Sequence, residues 1–438
     1  MSDKFDLAVL GGGPAGYVAA IRGAQLGAKV CLIEKEKVGG TCLNKGCIPT
    51  KALIACASLF EKIRKAGNYG ITVGEPAIDL AKVIERKDTV VGKIVKSLQK
   101  LIEQNKIEIV FGNGVVQGPG RINVDNRDVQ SRAIILATGS VPSCLPGLSF
   151  DQERFLCSDD ALMLKEVPQQ ITIVGGGVIG IHFASFYATL GAEVAIYEAM
   201  PEILPGIDEE VVAQVKRLLG RKKVKILTNT FFDPAKAGGK ALVCVGRTPN
   251  LMGFEALNLK MEKMRVVVND KMETSVPGVY AAGDVCSKVM LAHVAYEQGA
   301  IAAENALGAS RRFSYDCIPI GIYTNPEIGA VGLTEKAARE KGLNVSIGRF
   351  PFGALGIAQA MGEIEGFIKV VADENKKILG VHIIGPEATS LVGTACVAIK
   401  NGLTVEQLAE TFQAHPSYPE GLQEAALSAL KRAVHITN

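Results

Sequence analysis

No sign of charge dominates this chain. Its formal net charge is only +3, which argues against nucleic acid or an acidic surface as partner. Tryptophan is absent, and cysteine is sparse, with ten in 438 residues, scattered and mostly set in apolar runs such as those around Cys31, Cys144, Cys244 and Cys396. That pattern fits buried, reduced thiols and excludes a secreted disulfide framework. Residues 171–197 come nearest to a long apolar run, but glycines at 175, 176, 177, 180 and 191, with His182 and Glu193, interrupt them. A buried strand–loop–helix–strand explains them better than a membrane span. No leader is visible ahead of the glycine loop that begins at Gly11, so a cytoplasmic protein is expected. His182, His382 and His435 form no metal-ligand cluster with any cysteine spacing, and no metal is expected.

What the chain has in abundance is glycine, 48 residues of it, in a length that suits two to four domains. The glycines are patterned. An apolar strand, Phe5–Leu10, runs into Gly11-Gly-Gly13-Pro-Ala-Gly16, a helix through Leu26 and a second strand, Lys29–Ile33, that ends at Glu34. The plan recurs at Ile171–Val174, Gly175-Gly-Gly177-Val-Ile-Gly180, a helix to Leu190 and a strand Glu193–Tyr197 ending at Glu198. In both copies the acid lies 23 residues after the first glycine, and the copies are offset by 164 residues. One such loop is weak evidence, whereas two in the same context point to two bound dinucleotides. The glycines allow a tight turn, close approach to a pyrophosphate and close helix–strand packing. The helix N-terminus supplies unpaired N–H groups, and the acid takes the ribose hydroxyls. Return strands are expected at Ala133–Ala137, leading to Thr138-Gly139, and at Ala241–Gly246, leading to Arg247. A third apolar strand, Gly278–Ala282, leads to Gly283-Asp284. The final segment carries strands at Gly366–Val371 and Ile378–Ile384 and closes with helices, which reads as a separate α+β domain.

Directly after the first ribose acid stand Cys42 and Cys47, in Gly-Gly-Thr-Cys-Leu-Asn-Lys-Gly-Cys-Ile-Pro-Thr-Lys, residues 39–51. A dithiol beside a dinucleotide suggests electrons passing between sulfur and a flavin. On a regular helix two residues five apart are separated by ~7.5 Å along the axis and turned ~140°, whereas bridging needs Cβ atoms ~3.8 Å apart. The segment must therefore be irregular where the sulfurs meet, and Gly46 and Pro49 permit it.

Residues 39–51, the two loops, Val-Tyr-Ala-Ala-Gly-Asp-Val (279–285), Leu-Ala-His-Val-Ala-Tyr-Glu-Gln-Gly (291–299) and His-Pro-Ser-Tyr-Pro-Glu (415–420) together resemble the flavoprotein disulfide reductases. The resemblance covers nearly the whole chain. It implies an α/β fold of two Rossmann-like domains, FAD on the first and NAD on the second, with a C-terminal dimerisation domain. The expected division is 1–141 and 266–310 around FAD, 142–265 around NAD, and 311–438 for dimerisation. It further implies a homodimer whose active sites are shared between subunits. Cys47 would face the flavin and Cys42 would exchange with substrate. His415 would act as general base, since imidazoles exchange protons near neutrality, with Glu420 orienting it. Ser417-x-x-Glu420 is also a capping box, so this glutamate has a second reading as a helix start. Lys51 would sit near the reactive end of the flavin. Asp284 would bind the ribityl chain, and His293 would open a helix aimed at the flavin, unless it is a packed core histidine. Thr138 and Gly139 would join Gly11, Gly13, Gly16 and Glu34 at FAD, and Gly246 would join Gly175, Gly177, Gly180 and Glu198 at NAD. Glu198 repels a 2′-phosphate and Ala199-Met200-Pro201 offers no arginine to receive one, which favours NAD over NADP.

The implied reaction is oxidation of a protein-bound dihydrolipoyl dithiol with NAD⁺ as acceptor, the partner being a lipoyl domain of a 2-oxo acid dehydrogenase or glycine cleavage complex. The alternatives are reduction of another disulfide or a metal ion, or a regulatory flavoprotein with vestigial activity. Two departures from the family pattern motivate the last. His182 stands where the family carries a glutamate that pairs with the lysine at Lys51, and burial beside a cation is expected to hold this imidazole neutral. Only 12 residues, 229–240, separate Thr228 from Ala241, against 21 between Phe111 and Ala133 in the first module. The second module therefore lacks most of its antiparallel excursion, leaving an edge exposed or covered differently.

Overall fold

A computed structural model describes residues 3–236 and 239–437. The strand Asp3–Leu10 organises the first sheet. Leu7, Ala8 and Val9 are wholly buried, as expected of a parallel strand covered on both faces. It pairs in parallel with Val30–Glu34 on one side and Arg127–Leu136 on the other, and Glu108–Phe111 extends the sheet beyond Val30–Glu34. The strand order reverses at Asp3–Leu10, and in such sheets the ligand crevice opens at the carboxyl ends of the strands flanking the reversal. Gly11 follows one of these strands and Ala137 the other.

The Arg127–Leu136 strand does two jobs. Its first residues pair antiparallel with Arg121–Val124, which pairs in turn with Gly114–Gly118, and its last three take Val279–Ala281 in parallel. The excursion of the first module thus merges into its return strand. The helix Ala292–Ala306 lies against Pro14–Gln25 so closely that a Cβ on Gly299 would come within 2.2 Å of the Ala15 carbonyl oxygen. Residues from 279 onward therefore rejoin the first unit from far along the chain.

The second sheet is parallel throughout, in the order Lys225–Leu227, Glu193–Tyr197, Gln170–Val174, Lys240–Val243, Phe155–Leu156. Its return strand is shorter than the sequence suggested. The strand ends at Val243, the Cys244 N–H still donates to the Val174 carbonyl at 2.7 Å, and the chain turns at Gly246, φ +117°. Between Leu227 and Lys240 the described residues hold one 3₁₀ turn, Pro234–Lys236, and no strand. The edge is not left open, because the two-residue strand Phe155–Leu156 pairs with Ala241 and Leu242. A very short edge strand offers little template for association.

The third unit is an antiparallel five-stranded sheet ordered Ile320–Ile322, Glu327–Gly332, Ile378–Gly385, Phe367–Asp373, Val345–Pro351. Helices Ala388–Lys400 and Glu420–Ala429 press on it backbone to backbone: a Cβ on Gly329 would come within 2.2 Å of the Ala388 oxygen, and one on Gly348 within 1.9 Å of the Ala425 oxygen. One buried cation keys this unit to the second. Lys369, 2% exposed, places Nζ 3.0 Å from Asp208, 2.6 Å from Glu210 and 2.9 Å from Glu335. Asp208 caps the helix Glu209–Arg221 of the second unit, so the ion network ties that helix to the third sheet. Removing Lys369 would leave the buried Asp208 without its cation, at a cost of about 3–5 kcal/mol.

Candidate active site

The two cysteines sit on either side of a helix break. Gly40–Lys45 is one short helix and Cys47–Arg64 the next, with Gly46 between them at φ −141°, ψ −109°. A Cβ on Gly46 would lie 2.9 Å from the Thr41 carbonyl oxygen, so a larger residue would push the two helices apart. Pro49 falls in the first turn of the second helix, where a missing N–H costs nothing. The two cysteines are unbridged in this structure. The Cys47 thiol is pushed down to about 6, chiefly by the hydrogen bond from Cys42, with the Lys51 ammonium adding to it and burial opposing. The same hydrogen bond and burial push Cys42 far up. Cys47 also opens an 18-residue helix, whose positive end favours a thiolate. The pair is therefore asymmetric, with an anion at Cys47 and a proton at Cys42.

Lys51 stands one turn beyond Cys47, and burial draws its ammonium below the usual lysine range against the pull of the two sulfurs. Its Nζ lies 4.5 Å above the ring of Tyr323, and among the described residues it forms no ion pair. His182 is 5% exposed on the helix Val178–Thr189, and its Nε2 accepts the Tyr323 N–H at 2.7 Å. Burial first, and the Lys51 charge second, hold this imidazole neutral. The lysine thus faces an aromatic ring and a neutral histidine. His182→Glu is expected to pair with Lys51 and, by adding negative charge where the resemblance places the flavin, to lower that flavin's midpoint potential by on the order of 30 mV. A dye-equilibrated reductive titration measures this. An unchanged potential would mean that position 182 does not tune the flavin.

The two glycine loops are built alike to the ångström. A Cβ on Gly11 would approach the Ala137 oxygen to 2.3 Å, and one on Gly175 the Cys244 oxygen to 2.5 Å. On Gly16 it would reach the Gly11 oxygen at 1.7 Å, and on Gly180 the Gly175 oxygen at 2.0 Å. Gly16 and Gly180 are thus packing glycines standing behind the loops, while Gly11, Gly13, Gly175 and Gly177 line a cleft. Nothing lies within 4 Å of a Cβ on Gly177, which leaves room for a ligand. The acids are held in place: Glu34 accepts from the N–H groups of Gly12 and Glu36, both at 2.8 Å, and Glu198 from those of Gly176 at 2.6 Å and Met200 at 2.8 Å. One continuous cleft of 1340 Å³ runs past both loops, Glu34, Glu198, Thr138, Gly139, Gly246, Asp284, His293, Lys51 and both cysteines. Duplicated loops whose first and last glycines leave no room for a side chain, held acids and a shared cleft of this size fit two dinucleotides meeting at the dithiol.

His293 is exposed at the cleft wall, not packed in a core. Asp284 accepts from Ser140 Oγ at 2.5 Å, and burial raises its carboxyl against the pull of Ser140 and Arg247. Arg247 went unassigned in the sequence, yet it bridges the two dinucleotide units: Nε donates to Ser140 Oγ at 2.8 Å, and Nη2 to the Ser140 carbonyl at 2.7 Å and Thr41 Oγ1 at 3.4 Å. Tyr323, Tyr17 and Tyr296 went unassigned too. The rings of the last two lie 5.9 Å apart, tilted by 56°, near Cys42, and only spatial proximity marks them.

His415 and Glu420 do not line this cleft. Glu420 Oε1 lies 2.8 Å from His415 Nδ1 while Oε2 accepts the Ser417 N–H at 2.7 Å, so one carboxylate both orients the imidazole and starts the helix Glu420–Ala429. The capping box is only half made, since Ser417 Oγ donates back to the Ala414 carbonyl. Burial works to raise the Glu420 carboxyl, but His415 and Ser417 hold it below the usual range. The His415 ring is 79% exposed. Among the described residues no cluster of His, Cys, Asp or Glu is placed to hold a metal, and no helix is long and apolar enough to cross a membrane.

The family model described as pyridine nucleotide-disulphide oxidoreductase matches residues 5–299, and the dimerisation domain of the same name matches 318–426. A dihydrolipoyl dehydrogenase of Thermus scotoductus is 41% identical over 460 aligned residues, covering 99% of each chain. One of Bacillus subtilis is 38% identical over 473, covering 99% of this chain and 100% of the relative. Both alignments are longer than the 438-residue chain, so the relatives carry residues that it lacks. Among solved structures, LpdA from Mycobacterium tuberculosis superposes with a TM-score of 0.88 at 25% identity, covering 96% of this chain and 99% of that one. The HOCl-induced flavoprotein disulfide reductase RclA from Escherichia coli gives 0.86 at 25% identity, covering 95% and 98%.

Proposed function

We propose, from the premise that this chain belongs to the pyridine nucleotide-disulphide oxidoreductase family, that it oxidises a protein-bound dihydrolipoyl dithiol and passes the two electrons to NAD⁺. The observation that carries the reading is the asymmetric Cys42–Cys47 pair, set across the Gly46 break in the cleft between two dinucleotide loops. Full-length relatives named dihydrolipoyl dehydrogenase support the choice of dithiol. FAD, held by Gly11, Gly13, Glu34, Thr138, Gly139 and Asp284, and NAD, held by Gly175, Gly177, Glu198 and Gly246, supply the two-electron acceptors that follow the sulfurs.

The chain's own residues do the thiol chemistry. With Cys42 and Cys47 joined, a substrate thiolate attacks Cys42 Sγ. The Cys42–Cys47 bond breaks, a mixed disulfide forms, and Cys47 leaves as a thiolate beside the Lys51 ammonium. His415 of the partner subunit then takes the proton from the second substrate thiol. That sulfur attacks its neighbour, closing the lipoyl disulfide and releasing Cys42, which recovers a proton. The substrate loses two electrons and the cysteine pair gains them. The subunits pair through the 318–426 dimerisation domain. The partner is a lipoyl domain of a 2-oxo acid dehydrogenase or glycine cleavage complex, and the compartment is the cytoplasm.

Anaerobic addition of dihydrolipoamide to the purified protein is expected to bleach its visible absorbance, and NAD⁺ to restore it. A colourless protein, or one bleached by NADH but inert to dihydrolipoamide, would overturn the reading.

A further inference from the structure

Two further cysteines meet in the third unit, outside the cleft. Cys317 lies on the connection that leads from the helix Ala292–Ala306 into the strand Ile320–Ile322, and Cys396 lies on the helix Ala388–Lys400. They are 79 residues apart in sequence, yet the Cys317 thiol donates to the Cys396 carbonyl at 3.3 Å, and the two thiols are hydrogen-bonded to each other. Both are half-buried, unbridged and packed on the core of this unit. Cys317 holds its place at φ +60°. A residue with a Cβ enters that left-handed region only at a cost, so the surrounding fold is what keeps this sulfur beside the helix. Neither sulfur lines the cleft, and the reaction derived above uses neither. The pieces that carry them do reach the cleft wall, through Pro319, Ile320 and Gly321 on one and Thr389, Val392 and Gly393 on the other.

We propose that Cys317 and Cys396 are a second, non-catalytic dithiol that a small-molecule disulfide oxidises to an intrachain bridge, stapling the helix Ala388–Lys400 to the entry of the third unit. The Cys317 thiolate attacks one sulfur of the reagent, the reagent's S–S bond breaks, and one thiol leaves. Cys396 then gives up its proton and attacks Cys317 Sγ, which releases the second thiol. The two cysteines lose two electrons and two protons, and the two reagent sulfurs gain them. Their surroundings set the order. Burial first, and the neighbouring Cys317 after it, push the Cys396 thiol up to about 12. Cys396 is therefore a poor opening nucleophile, suited to the second step, where its target is already in contact. A bridge that closes so long a loop restricts the unfolded chain strongly, and it asks for little movement where the sulfurs already touch.

The test uses the FAD-loaded dimer treated with oxidised glutathione. Remaining thiols are blocked with N-ethylmaleimide, and the protein is digested without reduction and mapped by mass. The expected product is a peptide pair linking Cys317 to Cys396 within one chain. The midpoint of heat unfolding, followed by circular dichroism, is expected to rise by on the order of 5 °C. Cys396→Ala should stop halfway, with glutathione retained on Cys317 and no gain in heat resistance. A parent in which both cysteines stay free to react with the maleimide, or join other partners, overturns the proposal. So does a bridge that forms and leaves the unfolding midpoint where it was. These readouts do not involve dihydrolipoamide, so they stand or fall separately from the assigned reaction.

Discussion

Cys47→Ser lowers turnover of dihydrolipoamide by on the order of 10⁴-fold or more, because the protein loses the bond that accepts the electrons. Serine is close enough in shape that the helix break at Gly46 and the cofactor loops stay in place. The more discriminating measurement is alkylation of the reduced parent against pH. The Cys47 thiol is pushed down to about 6, so its thiolate persists through neutrality, and reactivity is lost only as pH falls through that value. The leading cause is the hydrogen bond from Cys42. Cys42→Ala removes it and moves the alkylation midpoint up toward the ordinary thiol range near ~8.5. Lys51→Met moves it in the same direction by a smaller step. A parent midpoint near ~8.5 would mean that the anion does not reside on Cys47.

His415→Gln lowers kcat by roughly 10²–10⁴-fold through loss of the proton acceptor. Glu420→Gln costs less, about tenfold, for a geometric reason. The native carboxylate turns one oxygen to His415 and the other to the Ser417 N–H. An amide has a single oxygen, so it keeps the helix start and turns its NH₂ toward the imidazole, which then holds the wrong tautomer. The sharing of sites between subunits has its own test. Mixing Cys42→Ser subunits with His415→Gln subunits gives heterodimers in which one site joins a native Cys42 to a native His415. Two inactive proteins should then recover about a quarter of parent activity at statistical mixing. No recovery, with heterodimers present by mass, would place His415 and Cys42 of one chain in the same site.

Much of this was legible without coordinates. Strand, glycine loop, helix and acid repeat at one spacing, and that spacing is set by the rise of a strand and the length of a crossover helix. The steric demands on Gly11, Gly16, Gly175 and Gly180 turned out to be matched pairs to within a few tenths of an ångström. The irregularity between Cys42 and Cys47 was also forced by helix geometry alone, and Gly46 supplies it. The shortened second module was evident from counting residues. How its edge is finished was not, since the strand Phe155–Leu156 that covers it lies more than eighty residues earlier in the chain.

Local pattern determined the elements, the two dinucleotide loops and the dithiol, because each follows from spacing or backbone sterics within a short stretch. Tertiary structure alone decided what those groups face. Lys51 lies over Tyr323, Arg247 reaches across to Ser140 and Thr41, and Glu420 divides its oxygens between an imidazole and a helix end. These are contacts between side chains, or between a side chain and the backbone. Their energies depend on distance and direction in space, which no run of neighbouring residues encodes.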